Sequence, residues 1–400
     1  MLFEILLAIT LGIFAGIITG LIPGIHINLV SLILLSLSGY FLSFTNAVVL
    51  GVFIISMSVT HSFLDFIPSV FLGAPESETA LSVLPGHKML LQGKAFEAVK
   101  LTVIGSLLSL ILAVLLVPLL IPSVSFIYPL FKDYIGFILI AVIVYMILKD
   151  NMKFWNLIVF LLSGTLGLIV LSMPNLENPL FPMLSGLFGL SMLAVSLFDK
   201  VNIPEQTITN DINLGKSETF QAIGAGTVAG TLTSFFPGLG PAQGAVLASQ
   251  LTRKISEYGF MVIVGGINTV NFVLSLVTLL TLDKARNGAV VVVSQLLENF
   301  DHQTLLIFLA ATLIVGGVAT ALALCITRVF SRLIVKINYR ALVIGIIGLI
   351  TILAFYFSGW VGLLILFTGT MIGIIPGELG VSRHHAMGCL ILPVILYFVL

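Results

Sequence analysis

The sequence predicts an all-α polytopic membrane protein, and two observations carry this prediction. The 400-residue chain is 59% hydrophobic and only 8% charged, whereas roughly a quarter of the residues in a soluble domain are charged. Residues 5–64, 219–252 and 341–377 contain no Asp, Glu, Lys or Arg, and they lack the alternation of outer-membrane barrel strands. Because a spanning helix needs about 20 apolar residues, we expect about ten to fourteen membrane segments, some of them not full spans.

Two Pro-Gly motifs interrupt the apolar segments in corresponding places of the chain. Residues 16–28 read GIITGLIPGIHIN, and residues 226–243 read GTVAGTLTSFFPGLGPAQ. Proline lacks an N–H and glycine tolerates positive φ, so a Pro-Gly pair breaks a helix. Matching breaks in two halves are typical of a transporter binding site. The pattern predicts two structural repeats, which we expect to be inverted, with broken or re-entrant helices at the Pro-Gly motifs.

The polar segment 200–217, KVNIPEQTITNDINLGKS, has no apolar periodicity and reads as a linker. It divides the chain into an N-terminal transmembrane repeat at 1–199 and a C-terminal transmembrane repeat at 218–400. The basic cluster in the loop 328–340 is expected to be cytoplasmic, because basic loops favour that side of the cell membrane. The formal net charge is zero, which gives no indication of a nucleic-acid partner.

Glycines spaced four residues apart predict surfaces for close helix packing, with no ligand role. They are Gly12, Gly16 and Gly20 in the first half, and Gly226 and Gly230 in the second. We expect each surface to lie against a helix of the other half.

Prolines predict further helix ends outside the two matching motifs. Pro85-Gly86 is expected to end a short helix that begins near Ser77. The prolines at 118, 122 and 129 predict a bent connection after a span near 99–121.

The order of these motifs resembles a known family. PGLGP stands at 237–241, and the first copy reads PGIHI, with His26 in place of the second glycine. Between residues 63 and 98 the runs APE, PGH and QGKA follow one another. The chain thereby resembles the TctA-like family, the large membrane subunit of tripartite tricarboxylate transporters.

The resemblance implies a secondary transporter of a tri- or dicarboxylate-like organic anion, working by alternating access and coupled to Na⁺ or H⁺. It implies a small membrane subunit and an extracytoplasmic binding protein as partners, besides membrane lipids, and no further cofactor. The Pro-Gly repeat also resembles proteins that move polyprenyl-phosphate carriers. An anionic lipid is therefore the alternative substrate.

The predicted substrate site consists of the two Pro-Gly breaks and the residues that follow them. A helix N-terminus presents unpaired N–H groups and about half a positive charge, which suits an anion. The predicted substrate-binding residues are Pro23, Gly24, His26, Asn28, Pro237, Gly238, Gly240, Pro241 and Gln243. The alternative is a helix kink that neighbouring side chains fill.

Polar side chains inside apolar segments are candidates for ion coupling or for lining the site, because they are unfavourable in lipid. The candidates are Asp65, Glu76, Glu78, Asn268, Asn271 and Asp283. His61 and Asp65 are four residues apart and share a helix face, so a structural hydrogen bond is the alternative for both. For Glu76, Glu78 and Asp283 the alternative is a solvated loop or helix end.

Sequence motifs for catalysis are missing from the chain. It contains no His-Glu-x-x-His, Gly-x-Ser-x-Gly or P-loop sequence, and the spacing of its His, Asp and Glu residues does not require a metal. We therefore expect a transporter and not an enzyme. An intramembrane enzyme that acts on a lipid-linked substrate is the alternative from another class.

Replacing Gly24 or Gly238 by leucine is expected to abolish carboxylate uptake into proteoliposomes while the protein still folds. A bulky side chain would keep the ligand from the backbone N–H groups after each break. The control is Gly215→Leu in the polar linker, with folding followed by size-exclusion chromatography. Uptake by either variant at the wild-type rate would contradict the shared site.

Overall fold

The computed structural model describes most of the chain. The described residues are 2–22, 27–73, 81, 83–149, 152–174, 176, 179–198, 203–209, 211–212, 214–235, 240–252, 255–285, 287–336 and 338–400.

The described residues form helices and connecting segments, without β-strands. In the first half the helices are α1 (Leu2–Leu21), α2 (Ile27–Ser36), α3 (Ser38–Phe41), α4 (Ala47–Leu64), α5 (Phe66–Leu72), α6 (Val83–Leu91), α7 (Ala95–Phe131), α8 (Ile135–Lys149), α9 (Lys153–Ser172), α10 (Leu180–Leu184) and α11 (Ser191–Phe198). In the second half they are α12 (Lys216–Phe235), α13 (Pro241–Leu251), α14 (Glu257–Leu282), α15 (Gly288–Leu296), α16 (His302–Ile334), α17 (Tyr339–Leu379) and α18 (Gly388–Val399). A π-helical segment, Ser185–Leu190, joins α10 to α11.

Seven helices in the described part of the chain are long and apolar enough to cross a membrane. They are Leu2–Leu21, Ala47–Leu72, Ala95–Phe131, Lys153–Ser172, Glu257–Leu282, His302–Ile334 and Arg340–Leu379. Three shorter apolar helices, Gly136–Lys149, Leu180–Val195 and Arg383–Val399, accompany them. The prediction of an all-α polytopic membrane protein is confirmed. At Gly359, φ is 59° and ψ is −152°, so α17 consists of two helical arms.

Helices α4 and α14 form the centre of the molecule. In their most apolar stretches 83% and 94% of the residues are buried, against 28% in α1. Each begins with a side-chain cap: Asn46 Oδ1 accepts a hydrogen bond from Val49 N, and Ser256 Oγ accepts one from Gly259 N. Such caps satisfy N–H groups that a helix start leaves without a partner.

The two central helices run in opposite directions. Asp65, at the end of α4, is hydrogen-bonded to Asn268 in the middle of α14. Farther along, Val70 of α5 and Met261 of α14 both lie against Gly86. The end of α4–α5 therefore lies beside the beginning of α14.

Each central helix has a glycine-lined neighbour from its own half. A Cβ added to Gly12 or Gly16 would lie 2.6 Å from a backbone oxygen of α4. A Cβ added to Gly226 or Gly230 would lie 3.1 Å or 3.0 Å from a backbone oxygen of α14. The prediction of close packing is confirmed. The expected partner, a helix of the other half, was wrong. Helix α1 packs against α4, and α12 packs against α14, because after each break the chain folds back onto the helix that precedes the break.

Prolines in the first half end fewer helices than their positions suggest. Pro85 and Gly86 lie inside α6, and Ser77 lies outside the described residues. Pro85 occupies the first turn of α6, where a helix needs no N–H donor from it. Helix α7 continues through Pro118, Pro122 and Pro129. The predicted helix end at Pro85-Gly86 was therefore wrong, and the predicted connection after residue 121 is helical as far as Phe131.

Helices α7 and α14 cross at very short distance between the two halves. A Cβ on Gly105 would lie 2.0 Å from the Val262 carbonyl oxygen, and a Cβ on Gly265 would lie 2.1 Å from that of Thr102. Ser106 Oγ donates a hydrogen bond to the Gly265 carbonyl at 3.0 Å. At this crossing the two backbones are in direct contact.

Gly105→Ala is expected to lower the unfolding temperature of the purified protein in detergent, because α7 and α14 must separate to admit a methyl group. Overpacking of this kind costs about 1–3 kcal/mol. Gly317→Ala in α16 is the matched control, since no atom lies within 4 Å of an added Cβ there. Equal unfolding temperatures for Gly105→Ala and the wild type would contradict the close crossing.

Candidate functional site

The two predicted breaks separate helices in the structure. Helix α1 ends at Leu21 and α2 begins at Ile27, while α12 ends at Phe235 and α13 begins at Pro241. Pro241 takes the first helical position, which suits its fixed φ and missing N–H. Gly240 precedes it and accepts a hydrogen bond from Gly244 N. Each break is thus followed by a new helix.

Several predicted site residues cannot be placed. Pro23, Gly24, His26, Pro237, Gly238, Glu76 and Glu78 lie outside the described residues. Asn28 lies on α2 and Gln243 on α13, and the structure does not describe their side chains.

Six of the buried polar side chains beside the breaks form a group on α1, on α4 and the residue that follows it, on α12 and on α14. We call this group the polar cluster. Its members are each 5% exposed or less: Thr19, His61, Asp65, Thr233, Asn268 and Asn271. A polar cluster at this depth of an apolar bundle is unfavourable unless its members are paired.

The polar cluster contains two corresponding pairs. Thr19 Oγ1 lies 3.2 Å from His61 Nδ1, and Thr233 Oγ1 lies 3.3 Å from Asn271 Oδ1. Thr19 precedes Pro23 by four residues, and Thr233 precedes its proline by the same distance. Each pair therefore joins the last turn before a break to the adjacent central helix.

A third contact joins the two halves through the central helices. Asn268 Nδ2 donates a hydrogen bond to Asp65 Oδ2 at 3.3 Å. Asp65 lies between α4 and α5, where Pro68 cannot donate to the preceding turn. Helix α4 ends and α5 begins there, and the Asp65 carboxylate lies at the interface of α4 and α14.

Asp283 lies apart from the polar cluster. It is exposed and takes a left-handed conformation, φ 52°, at the end of α14. Fifteen residues of helix separate it from Asn268, which corresponds to about 22 Å. It therefore occupies a helix end and not the lining of the polar cluster.

Sequence reasoning identified four of the six cluster members and missed Thr19 and Thr233. The signal that could have identified these two threonines is their equal spacing, four residues before Pro23 and Pro237. Among the residues that the structure describes, no group of three or more His, Cys, Asp or Glu side chains is arranged to hold a metal ion.

Comparison with known proteins shows the family. The model of the tripartite tricarboxylate transporter TctA family matches residues 6–388. The chain belongs to the TctA family. It is 31% identical over 357 residues to the uncharacterized protein MJ1079 of Methanocaldococcus jannaschii, which covers 86% of this chain and 88% of that protein. No solved structure matches.

Membership of the TctA family makes the chain a component of a tricarboxylate transporter. The matched range includes both breaks and all six members of the polar cluster.

Thr19→Val and Thr233→Val are each expected to lower the free energy of unfolding by about 1 kcal/mol, because each removes a buried hydrogen bond at constant shape. Uptake into proteoliposomes should fall in both variants. The control is Thr10→Val, since Thr10 lies on α1 and is exposed, with its hydroxyl bonded to the Leu6 carbonyl. Wild-type stability and uptake in Thr19→Val would contradict a role for the pair.

Proposed function

We propose that this TctA-family chain is a secondary transporter that carries a tri- or dicarboxylate by alternating access and is coupled to Na⁺ or H⁺. The observation that carries the proposal is the burial of the polar cluster between two helix breaks. An apolar bundle retains such groups where they bind or conduct a polar species. The helix starts that follow the breaks supply positive dipole ends for carboxylates.

An inverted repeat is part of this proposal. Its support is the matching of contacts: α1 pairs with α4, and α12 pairs with α14, through glycines and then through a buried threonine. The central helices α4 and α14 run in opposite directions, as two inverted halves require. Alternating access then follows when one half moves relative to the other around the fixed cluster.

Asp65 is the proposed coupling residue. It is an acidic side chain within the polar cluster, 2% exposed, and its carboxylate meets an amide from the other half. A carboxylate at such an interface binds Na⁺ or H⁺ more strongly in one arrangement of the halves than in the other. An ion bound there would offset the charge of the anionic substrate.

The proposed orientation places the end of α16 in the cytoplasm. Arg328 and Arg332 lie in its last two turns, and Lys336 and Arg340 follow within six residues. Basic segments between spans favour that side of the cell membrane. The ring of Phe330 contacts Phe71 at the end of α5. The proposed cytoplasmic face therefore includes the end of α5 and the beginning of α14. The small membrane subunit and the extracytoplasmic binding protein are proposed partners.

Counterflow uptake into proteoliposomes tests the substrate class. Citrate and dicarboxylates are expected to exchange, with accumulation when a Na⁺ or H⁺ gradient is applied. Exchange of polyprenyl phosphate, without exchange of any carboxylate, would replace this proposal by lipid-carrier transport.

Asp65→Asn is expected to separate coupling from binding. Gradient-driven accumulation should fall by about tenfold or more, because the loss of the charge removes at least ~1.4 kcal/mol of ion binding. Counterflow exchange should persist, since it needs no net ion movement. Asp283→Asn, at an exposed helix end, is the control and should behave as the wild type. Gradient-driven uptake by Asp65→Asn at the wild-type rate would exclude Asp65 from coupling.

A further inference from the structure

A cavity of about 900 Å³ lies between α6, α11, α13, α14 and the segment after α17. Its wall is largely apolar and includes Leu91, Met192 and Phe260. Lys88 and Arg383 bring cationic side chains to the same cavity. The volume is in the range of small-molecule sites, about 300–1,000 Å³, and an apolar wall with a few polar groups is typical of them.

Arg383 is the unusual group in this cavity. Its guanidinium lies over Gly377, where an added Cβ would be 2.9 Å from Nη2. Its Nη1 atom is buried and has no hydrogen-bond partner. Within the part of the chain that the structure describes, no acidic side chain pairs with Arg383. Removing part of a cation from water without a partner is unfavourable, so this geometry favours an anion beside Arg383.

The other charged side chains among the described residues of the cavity leave the charge of Arg383 uncompensated. Lys88 Nζ and Glu257 Oε1 form an ion pair at 2.5 Å, and their charges cancel. Burial lowers the pKa of His87 to about 4, so His87 is neutral at pH 7. Among the described residues, the Lys, Arg, Asp and Glu side chains that line the cavity therefore carry one net positive charge.

We propose that this cavity binds an organic anion, with its carboxylate or phosphate group on Arg383 and its carbon skeleton against Met192 and Phe260. The planar guanidinium presents paired N–H donors that match two oxygens of such a group. The apolar wall suits a ligand with more hydrocarbon than citrate has. A free carboxylate and the phosphate of an anionic lipid headgroup both present such a pair of oxygens to Arg383.

Helix α5 connects the cavity to the polar cluster. Asp65 precedes α5, and the carbonyl of Val70, five residues later, is hydrogen-bonded to His87 Nδ1 at 3.3 Å. Five helical residues span roughly 8 Å. An anion in the cavity would therefore lie next to the polar cluster, with only the first part of α5 between them. This position on a transport route rests on the proposed function, whereas binding to Arg383 does not.

The test measures phenylglyoxal labelling of Arg383 in the purified full-length protein by peptide mass spectrometry. Hexanoate, citrate and phosphatidylglycerol nanodiscs serve as probes. At saturation a bound anion is expected to slow labelling of Arg383 about tenfold and to leave Arg332, exposed on α16, unchanged. Protection by hexanoate in detergent identifies a free anion. Protection in the nanodiscs alone identifies a lipid headgroup. Protection by none of the probes overturns the proposal.

Two variants complete the test. Arg383→Gln should lose the rise in unfolding temperature that the protecting probe produces, and the matched control Arg332→Gln should keep it. If Arg383→Gln does not fold, Val195→Trp takes its place in the test. The tryptophan fills the cavity without changing its charge, so it should abolish protection of Arg383 by the probes. If the probe raises the unfolding temperature of Arg383→Gln as much as that of the wild type, the proposal is overturned. Protection of Arg383 in a protein that transports no carboxylate would refute the proposed function and leave this site intact.

Discussion

Inside a bilayer, polar groups must find their partners within the protein, and this constraint organises the centre of the molecule. Two helices stop in the middle of apolar segments, and each carries a threonine in its last turn. Those threonines bond to His61 and Asn271 on the central helices. Glycines one to two turns earlier allow the backbones to approach closely enough for the bonds to form. The polar cluster therefore depends on the glycine packing surfaces, because without that close approach the threonines could not reach their partners.

The contact between Asp65 and Asn268 differs from the other pairs because it joins the two halves. A displacement of one half relative to the other changes the surroundings of this carboxylate, whereas Thr19 and His61 belong to one half. The glycine crossing of α7 and α14 also joins the halves, but through backbone contacts that leave little room for sliding.

The sequence was sufficient to predict the helical class, the two breaks and the burial of Asp65, Asn268 and Asn271. Charge-free segments and Pro-Gly pairs act locally, so their consequences can be derived without tertiary structure. The partner of each glycine surface could not be derived, because a small-residue spacing indicates a close neighbour without identifying it. Thr19 and Thr233 were missed because hydroxyl groups in apolar helices commonly bond to their own backbone. The cavity at Arg383 needs helices from both halves and has no local signal.

The opposed directions of α4 and α14 have a consequence for energetics. In the proposed inverted repeat, a ligand that reaches the centre from either side of the membrane would meet a glycine-packed helix, a threonine and a central helix in the same order. In the proposed secondary transporter, the concentrations and the voltage on the two sides set the direction of net flux. In the proposed alternating-access cycle, the departures from equivalence, His61 opposite Asn271 above all, would set the energy difference between the inward-facing and outward-facing forms. We expect a single substitution at these positions to change how long the protein rests facing each side.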